Sequence, residues 1–459
     1  MESIMIRDNE RVCFVPYKMF VVDGRKYVFT QDNAIYEIDD RTQQIIEKSG
    51  STYNQIFDQV RHNFTKEEFE NLIDDMETAR FIVGNADDTL LDNGGKFTLE
   101  GITLMLVQSC NMCCKYCYAE EGEYSDEGKM DIETAKEGFE FLVKSSNAKE
   151  LGVILFGGEP LLAFDLIKEL VVYMRNREQE IEKKVYISMT TNGTLINKEV
   201  EEFFDKYDVH MMISIDGDKE THDSNRYFKN KIGSYDMVLE KTHNLRKQGK
   251  LSARATISTG KQSLIKTFDH LDELGFKSVA LSPAYNLFED LDYADFAKSQ
   301  AEYIGEFLKA ANEHDYDRCR KMKVVYSRLK RLNNYTGRNR AYSCGAGRTM
   351  LAVDIHGDLY PCHRFVCLKE FAVGNIRTGI YGQDEFLENI KINNKHEKCS
   401  SCWIKNMCVG DCPYTNFEAT GDVSTTDGRV CHIIQKAYEK FIEVYLQLSD
   451  EQKKELFEQ

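Results

Sequence analysis

Residues 108–120 read QSCNMCCKYCYAE and place Cys110, Cys114 and Cys117 in one short loop directly after an apolar run. Three thiolates at this Cys-x3-Cys-x2-Cys spacing can bind three irons of a [4Fe–4S] cluster and leave the fourth iron open to another ligand. A structural zinc ion is the alternative, but such a site takes four protein ligands, and the remaining cysteine of the loop, Cys113, is expected to be a buried small hydrophobic residue. The loop therefore predicts an iron–sulfur site with one open iron.

Short apolar runs lie on both sides of this loop and alternate with amphipathic helical stretches. Fully apolar short strands separated by helices predict an α/β fold with a parallel sheet covered on its outer face. Six such units are fewer than the eight of a complete barrel. Residues 98–284 are therefore predicted to form an open, partial (β/α)6 TIM barrel. The apolar runs are residues 102–107, 153–156, 185–189, 210–215, 253–257 and 279–281, and the helical stretches include 132–144, 164–178, 198–206 and 235–248.

Three short polar motifs close successive apolar runs after the cysteine loop. They are Gly157-Gly158-Glu159-Pro160, Thr191-Asn192-Gly193 and Ser214-Ile215-Asp216-Gly217. Each string alone is no more than a turn signal, but active sites of barrel enzymes lie at the carboxyl ends of the strands. The three motifs and the cysteine loop are thus predicted to share one edge of the sheet.

The ordered set resembles the radical S-adenosylmethionine (SAM) superfamily, including the aromatic residue before the third cysteine of the loop. The resemblance implies that S-adenosyl-L-methionine binds the open iron and yields a 5′-deoxyadenosyl radical, which abstracts a hydrogen from the substrate. It also implies that Glu159 supplies an anionic partner for the methionyl ammonium group. The residues implied to bind this cofactor are Tyr116, Gly157, Gly158, Glu159, Asn192, Ser214 and Asp216.

Composition narrows the class of protein further. The formal net charge is −17, which argues against a nucleic-acid partner because phosphate binding needs a basic surface. No apolar run approaches the ~20 residues that span a bilayer, and the N-terminus lacks the apolar region of a secretory signal. A cytoplasmic protein is expected. Its 14 cysteines then favour metal or cluster ligation over disulfides.

Seven cysteines form a second ordered group near the C-terminus, and their spacing resembles the SPASM domain, here residues 344–435. The resemblance implies two auxiliary [4Fe–4S] clusters, with the inner cluster on Cys344, Cys362 and Cys412. This inner set is one ligand short. Either Cys367 or a thiolate of the substrate completes it, and a zinc site remains the alternative. The outer cluster is implied to bind Cys399, Cys402, Cys408 and Cys431.

Residues 360–366 (YPCHRFV) resemble a run found in peptide maturases that form thioethers, of the ranthipeptide or sactipeptide type and similar to the SCIFF and freyrasin maturases. Sulfatase-modifying relatives carry an Asp base where this chain has His363. His363 is therefore a candidate catalytic residue that takes a proton at neutral pH. A structural hydrogen bond near the cluster is the other interpretation of this side chain.

Residues 1–90 read as a separate unit with three short strands followed by helices, one of them opened by a capping box of Thr65 and Glu68. This order is similar to a winged-helix-like leader-peptide recognition element, in which a peptide adds a strand to a sheet edge. A DNA-binding helix-turn-helix is the alternative, which the scarcity of basic residues disfavours. Residues 285–343 are predicted to be a helical connector and 436–459 a C-terminal helix.

Together these features predict an enzyme that installs thioether crosslinks, from cysteine sulfur to carbon, in a ribosomally synthesised precursor peptide. An electron donor such as flavodoxin or ferredoxin is implied as a second partner. Three alternatives stay open: carbon–carbon or formylglycine chemistry on the same scaffold, a small-molecule radical enzyme, and a zinc-bound module without catalysis.

Overall fold

A computed structural model of the protein describes residues 10–82, 91–92, 98–335, 339–366, 368–391 and 397–458. Cys367, one of the two candidates for completing the inner cysteine set, lies outside the described residues. Within the described ranges, no helix is long and apolar enough to cross a membrane.

The N-terminal domain is a three-stranded antiparallel sheet, in the order β1-β2-β3, packed against three helices. Asp23 and Gly24, both with positive φ, form the tight turn between the first two strands. The capping box of Thr65 and Glu68 is confirmed, since each side chain accepts a hydrogen bond from the other residue's backbone N–H. The elements are β1 (Tyr17–Val22), β2 (Arg25–Thr30), β3 (Ile35–Ile38), α1 (Asp40–Ile46), α2 (Tyr53–Val60) and α3 (Lys66–Thr78).

The central domain contains six parallel strands that neighbour one another in chain order, apart from a short antiparallel strand, β6. Along β7 and β8 the residues that face the helices are buried and alternate with less buried residues on the concave face. The strands of this sheet are β5 (Gly101–Gln108), β6 (Gly128–Lys129), β7 (Glu150–Gly157), β8 (Lys184–Thr191), β9 (Val209–Ser214), β10 (Leu251–Ile257) and β11 (Val279–Pro283), and β4 (Leu91–Asp92) precedes it in the chain but lies outside it. The helices are α4 (Ile132–Ser145), α5 (Phe164–Glu178), α6 (Lys198–Lys206), α7 (Lys219–Asn225), α8 (Tyr235–Lys247) and α9 (Leu264–Glu273).

The sheet stays open, which confirms the predicted partial barrel. At one edge β11 is the last strand, and at the other edge β5 pairs in parallel with a strand of the cysteine-rich region, from Met350↔Gly101 to Val353↔Leu104. Antiparallel hairpins then extend the same sheet. The cysteine-rich region is thereby joined to the barrel strand that precedes the first cysteine loop. These additional strands are β13 (Met350–Val353), β14 (Asp358–Tyr360), β15 (Gly374–Asn375) and β16 (Gly379–Ile380). A further strand, β12 (Asn339–Arg340), pairs in parallel with β4 in a separate two-stranded sheet.

The C-terminal half supplies the remaining helices. The predicted single C-terminal helix over 436–459 is divided in two: one helix begins at Gly428 and ends at Gln447, and Ser449 caps a second one. The helices are α10 (Asp290–Asn312), α11 (Tyr316–Lys321), α12 (Lys323–Asn333), α13 (Gln383–Ile390), α14 (Glu397–Ser400), α15 (Lys405–Cys408), α16 (Pro413–Thr420), α17 (Gly428–Gln447) and α18 (Asp450–Phe457).

The N-terminal domain packs directly against the second cysteine group. The ring of Trp403 lies edge-on to Phe20 and Phe29, at centroid distances of 6.0 and 5.7 Å. The side-chain amide of Gln31 donates to the carbonyls of Ser400 and Cys402, at 3.1 and 2.8 Å. The β1–β2 hairpin therefore contacts the loop that carries the first two cysteines of the outer set.

Candidate active site

Two glycines bring the end of β7 against the start of the first cysteine loop. A Cβ at Gly157 would lie 2.1 Å from the carbonyl oxygen of Val107, and a Cβ at Gly158 would lie 2.1 Å from that of Ser109. Gly157 also has a φ of +140°, which side-chain-bearing residues rarely adopt. The backbone approach at this point therefore requires glycine at both positions.

Glu159 follows this turn and is almost fully enclosed, with 1% of its surface exposed. Its carboxylate accepts hydrogen bonds from the Thr191 hydroxyl (2.6 Å) and from the backbone N–H groups of Asn192 (2.7 Å) and Leu161 (3.1 Å). Burial raises the pKa of this carboxyl group, and the hydrogen bonds oppose that shift. Glu159 thus braces the ends of β7 and β8 against each other. Its expected role as the partner of an ammonium group stays a prediction.

The cysteine loop is held from two sides. The Asn192 side chain donates to the Asn111 side chain at 2.8 Å, which ties the loop to the end of β8. On the other side, the backbone N–H groups of Cys113 and Lys115 donate to carbonyl oxygens of Tyr227 and Asn225. These hydrogen bonds therefore fix the loop between the end of β8 and residues 225–227.

The three thiols of the loop neighbour one another. Burial, followed by the Glu159 charge, raises the pKa of Cys110 to about 12, and Cys114 adds to the shift. Burial raises the pKa of Cys114 to about 11, and Cys117 acts in the same direction. Iron binding deprotonates such thiols and relieves this cost. Among the described residues no three His, Cys, Asp or Glu side chains converge on a single-ion site. A cluster does not require such convergence because each thiolate binds a different iron.

Sequence reasoning missed a buried cation beside this loop, Arg226, which is 7% exposed. Its Nη1 donates to the Tyr116 hydroxyl at 2.7 Å, and that hydroxyl donates to Asp216 at 2.5 Å. The Arg226 Nε has no hydrogen-bond partner among the described residues. Its charge acts on Cys114 and Glu159, so it lies near both. A buried cation with an unused donor fits an anionic group such as the carboxylate of SAM.

Asp216 is fully buried, and burial raises its pKa. Besides Tyr116 it accepts from the backbone N–H of Thr256 at 2.9 Å. Its own N–H donates to Nδ1 of His222 at 3.3 Å, and Nε2 of His222 is 2.8 Å from the Ser234 hydroxyl. Burial lowers the pKa of His222 to about 3, so this ring is neutral at physiological pH. The last site residue, Ser214, ends β9 in register with Arg254 of β10.

In the second cysteine group the thiols act on one another electrostatically, and their predicted division between two clusters stays a prediction. Burial raises the pKa of Cys362 to about 12, with further contributions from Cys412 and Cys344, so these three thiols lie together. The other four also act on one another: burial raises the pKa of Cys408 to about 12 and that of Cys431 to about 11, and their neighbours include Cys399 and Cys402.

His363 lies among aromatic rings rather than in a polar site. Its ring centroid is 4.6 Å from that of Phe156 and 6.2 Å from that of Tyr118. Burial, with Arg254 and Arg364 adding to it, lowers the pKa of His363 to about 3. Burial among these rings opposes protonation of the imidazole, and the role of His363 as a base stays a prediction.

Residues 104–261 match the family model described as the Radical SAM superfamily. The matched range contains the cysteine loop, the three strand-end motifs and the buried network around Asp216. The parallel-sheet domain of this chain is therefore a radical SAM domain.

Curated proteins and solved structures give similarities of different extent. The chain is 34% identical over 132 residues to an uncharacterized protein of Methanocaldococcus jannaschii, a match that covers 29% of this chain and only 43% of that protein. It is 25% identical over 320 residues to the cysteine-type anaerobic sulfatase-maturating enzyme of Clostridium perfringens, covering 66% of this chain and 85% of the enzyme. The structure of native anSMEcpe with bound AdoMet and Cp18Cys peptide has the same fold, with a TM-score of 0.64, 20% identity, and coverage of 76% and 99%.

Proposed function

We propose that this protein is a radical SAM peptide maturase that forms thioether crosslinks in a ribosomally made precursor. The observation that carries the proposal is the inner set of Cys344, Cys362 and Cys412, three neighbouring thiols that are one short of a complete set of cluster ligands. A cysteine thiolate of the substrate fits the remaining position. The acidic net charge of −17 disfavours a nucleic-acid substrate.

Each residue group has a distinct part in this proposal. The loop of Cys110, Cys114 and Cys117 holds a [4Fe–4S] cluster, which supplies the electron that converts SAM to a 5′-deoxyadenosyl radical. The turn at Gly157 and Gly158 brings backbone close to the cofactor. Tyr116, Asn192, Ser214, Asp216 and Glu159 complete the cofactor pocket.

Arg226 extends the set of cofactor-binding residues beyond those found in the sequence. It places a permanent positive charge in a pocket that is otherwise lined by carboxylates and thiols. We assign to it the carboxylate group of SAM. Its Nη1 already donates to Tyr116, and its buried Nε, which has no partner among the described residues, is a donor available to a ligand.

The net reaction removes two hydrogens from the peptide. The radical takes one hydrogen atom from the acceptor carbon, the thiol proton passes to solvent, and the C–S bond forms as one electron leaves toward the auxiliary clusters. The outer set of Cys399, Cys402, Cys408 and Cys431 lies against the N-terminal domain through Trp403. A flavodoxin or ferredoxin is the proposed partner that exchanges electrons with these clusters.

The precursor peptide is proposed to dock on residues 1–90 as an added strand. Of the two outer strands, β1 is close to the C-terminal helix α17, since Lys18 pairs with Glu439 at 3.2 Å. The opposite edge, β3, is the one proposed to receive the leader. Similarity to a sulfatase-maturating enzyme, together with the structural likeness to a peptide-bound one, supports a peptide or protein substrate.

The test is mass spectrometry of a short cysteine-containing peptide encoded beside this protein's gene, incubated anaerobically with the reconstituted enzyme, SAM and a reductant. Thioether formation predicts the loss of two hydrogens and the loss of one site for thiol alkylation per crosslink. Modified peptide that still alkylates at every cysteine would contradict the proposal and point to carbon–carbon chemistry.

A second candidate is favoured by one observation, the similarity to the cysteine-type sulfatase-maturating enzyme over 85% of its length. In that case the product is an aldehyde, which a hydrazide probe labels. The same digest analysed with both reagents distinguishes the two reactions.

A further inference from the structure

The side chain of Arg364 lies where three cysteine-bearing segments meet. Its Nη1 is 3.9 Å from the sulfur of Cys412 and 3.1 Å from the hydroxyl of Thr415, and it donates to both. Its guanidinium carbon lies 4.1 Å from the ring centroid of Tyr414 and 5.2 Å from that of Tyr118. Tyr118 directly follows Cys117, and Arg364 itself comes two residues after Cys362. One cation therefore contacts Tyr118, next to the first cysteine loop, and the sulfur of Cys412 in the inner set.

This position is fixed on several sides. The rings of Tyr118 and Tyr414 lie 64° apart and both contact the guanidinium, so they restrict its position in a way that an ammonium group does not reproduce. A carboxylate, Glu418, lies 3.7 Å from Nη2, and the two side chains are 27% and 26% exposed. The half-buried surroundings strengthen electrostatic interactions relative to bulk water. Arg364 thus places a positive charge beside the sulfur of Cys412, and Glu418 places a negative charge beside that cation.

We infer that Arg364 is a positioning residue that raises the reduction potential of the inner cluster through its hydrogen bond to the sulfur of Cys412, and that Glu418 partly offsets this effect. The inference rests on the proposed auxiliary cluster of Cys344, Cys362 and Cys412. Reduction adds one negative charge to a cluster, and hydrogen bonds to its sulfurs together with nearby cations stabilise that charge. In the proposed reaction, this makes the inner cluster a better acceptor for the electron released when the C–S bond forms.

The experiment is a potentiometric titration of the anaerobically reconstituted full-length protein, followed by electron paramagnetic resonance. Arg364→Gln removes the charge but keeps a hydrogen-bonding amide. It should decrease the equilibrium constant for reduction of the inner cluster about tenfold, the effect expected for the loss of one charge-assisted hydrogen bond. For a one-electron couple, tenfold corresponds to a potential lower by about 59 mV. Glu418→Gln should shift the potential in the opposite direction, and Arg364→Lys should give a smaller decrease.

The opposite signs separate tuning from simple disruption of the structure, because a loosened site would move both variants in the same direction. Arg61→Gln, which removes an exposed arginine of the N-terminal domain, is the charge-matched control and should leave the potential unchanged. Equal potentials in wild type, R364Q and E418Q, or shifts of the same sign, would overturn the inference.

A separate determination of iron and sulfide tests the inner cluster, on which the proposed function rests. Replacing Cys344, Cys362 and Cys412 together by Ala should remove about four irons and four sulfides per chain. An unchanged content would refute the inner cluster itself and the inference with it. If R364Q does not accumulate as folded protein, R364K and E418Q still provide the two signed shifts.

Discussion

Replacing Thr191 by Val tests whether Glu159 braces the ends of β7 and β8. The two side chains have nearly the same shape, so the change removes mainly the hydroxyl oxygen. That oxygen donates to the Glu159 carboxylate at 2.6 Å and accepts from the Gly193 N–H at 3.1 Å. Thr191 is 1% exposed, so water does not readily replace either bond. Glu159 then loses one of its three hydrogen bonds and the Gly193 N–H loses its acceptor, at about 1–2 kcal/mol each, or about 2–4 kcal/mol of local stability.

Hydrogen exchange followed by mass spectrometry measures this loss in the native protein. Because each 1.4 kcal/mol is a factor of ten in an equilibrium constant, peptides covering residues 190–194 should exchange roughly 30-fold faster or more in T191V. Thr190→Val is the matched control, because the side chain of Thr190 points to the opposite face of the same strand. Exchange in T191V that stays within about twofold of T190V would refute the bracing role of Glu159.

Three further predictions follow from the site and the domain contacts. Burial lowers the pKa of His222 in the native protein to about 3, below the value near 6.5 in the unfolded chain. The free energy of unfolding should therefore decrease by about 1.4 kcal/mol per pH unit as the pH falls from about 6 to 4. Urea titrations should show a flatter pH dependence for His222→Asn. Arg226→Met should weaken SAM binding about 10- to 100-fold by calorimetry on the reconstituted protein, and unchanged affinity would remove Arg226 from the cofactor pocket. Trp403 is the single tryptophan of the chain. W403A should destabilise the contact with the β1–β2 hairpin by about 2–3 kcal/mol and accelerate hydrogen exchange across residues 17–30. The control Y381A replaces an exposed side chain and should not have this effect.

Much of the barrel could be predicted from the sequence because its strands are short and apolar on the helix-facing side and its helices are amphipathic. Local periodicity determines such elements, and the right-handed strand–helix–strand connection then leaves little choice of neighbour. The clustering of Gly157, Asn192 and Asp216 could be predicted in the same way, since the carboxyl ends of parallel strands share one edge of the sheet.

Features that depend on contacts distant in sequence were not predictable. Nothing local in residues 350–353 indicates that they pair with β5, because strand pairing across about 250 residues leaves no periodic signal. Arg226 follows α7 and belongs to no sequence motif. Its importance becomes visible only from its hydrogen bond to Tyr116, which is distant in sequence. The sequence suggested a base at His363 from its neighbour Cys362, but the pKa of a histidine depends on rings and cations brought by other elements, here Phe156 and Arg254.

The central claim, that this chain uses the loop of Cys110, Cys114 and Cys117 to start radical chemistry on SAM, is tested most directly by chromatography of 5′-deoxyadenosine. The reconstituted protein with dithionite and SAM should produce it, and Cys114→Ala should abolish its formation. The buried Cys319→Ala, outside both cysteine groups, should retain it. Undiminished 5′-deoxyadenosine from the Cys114→Ala protein would contradict the assignment of this loop and the account built on it.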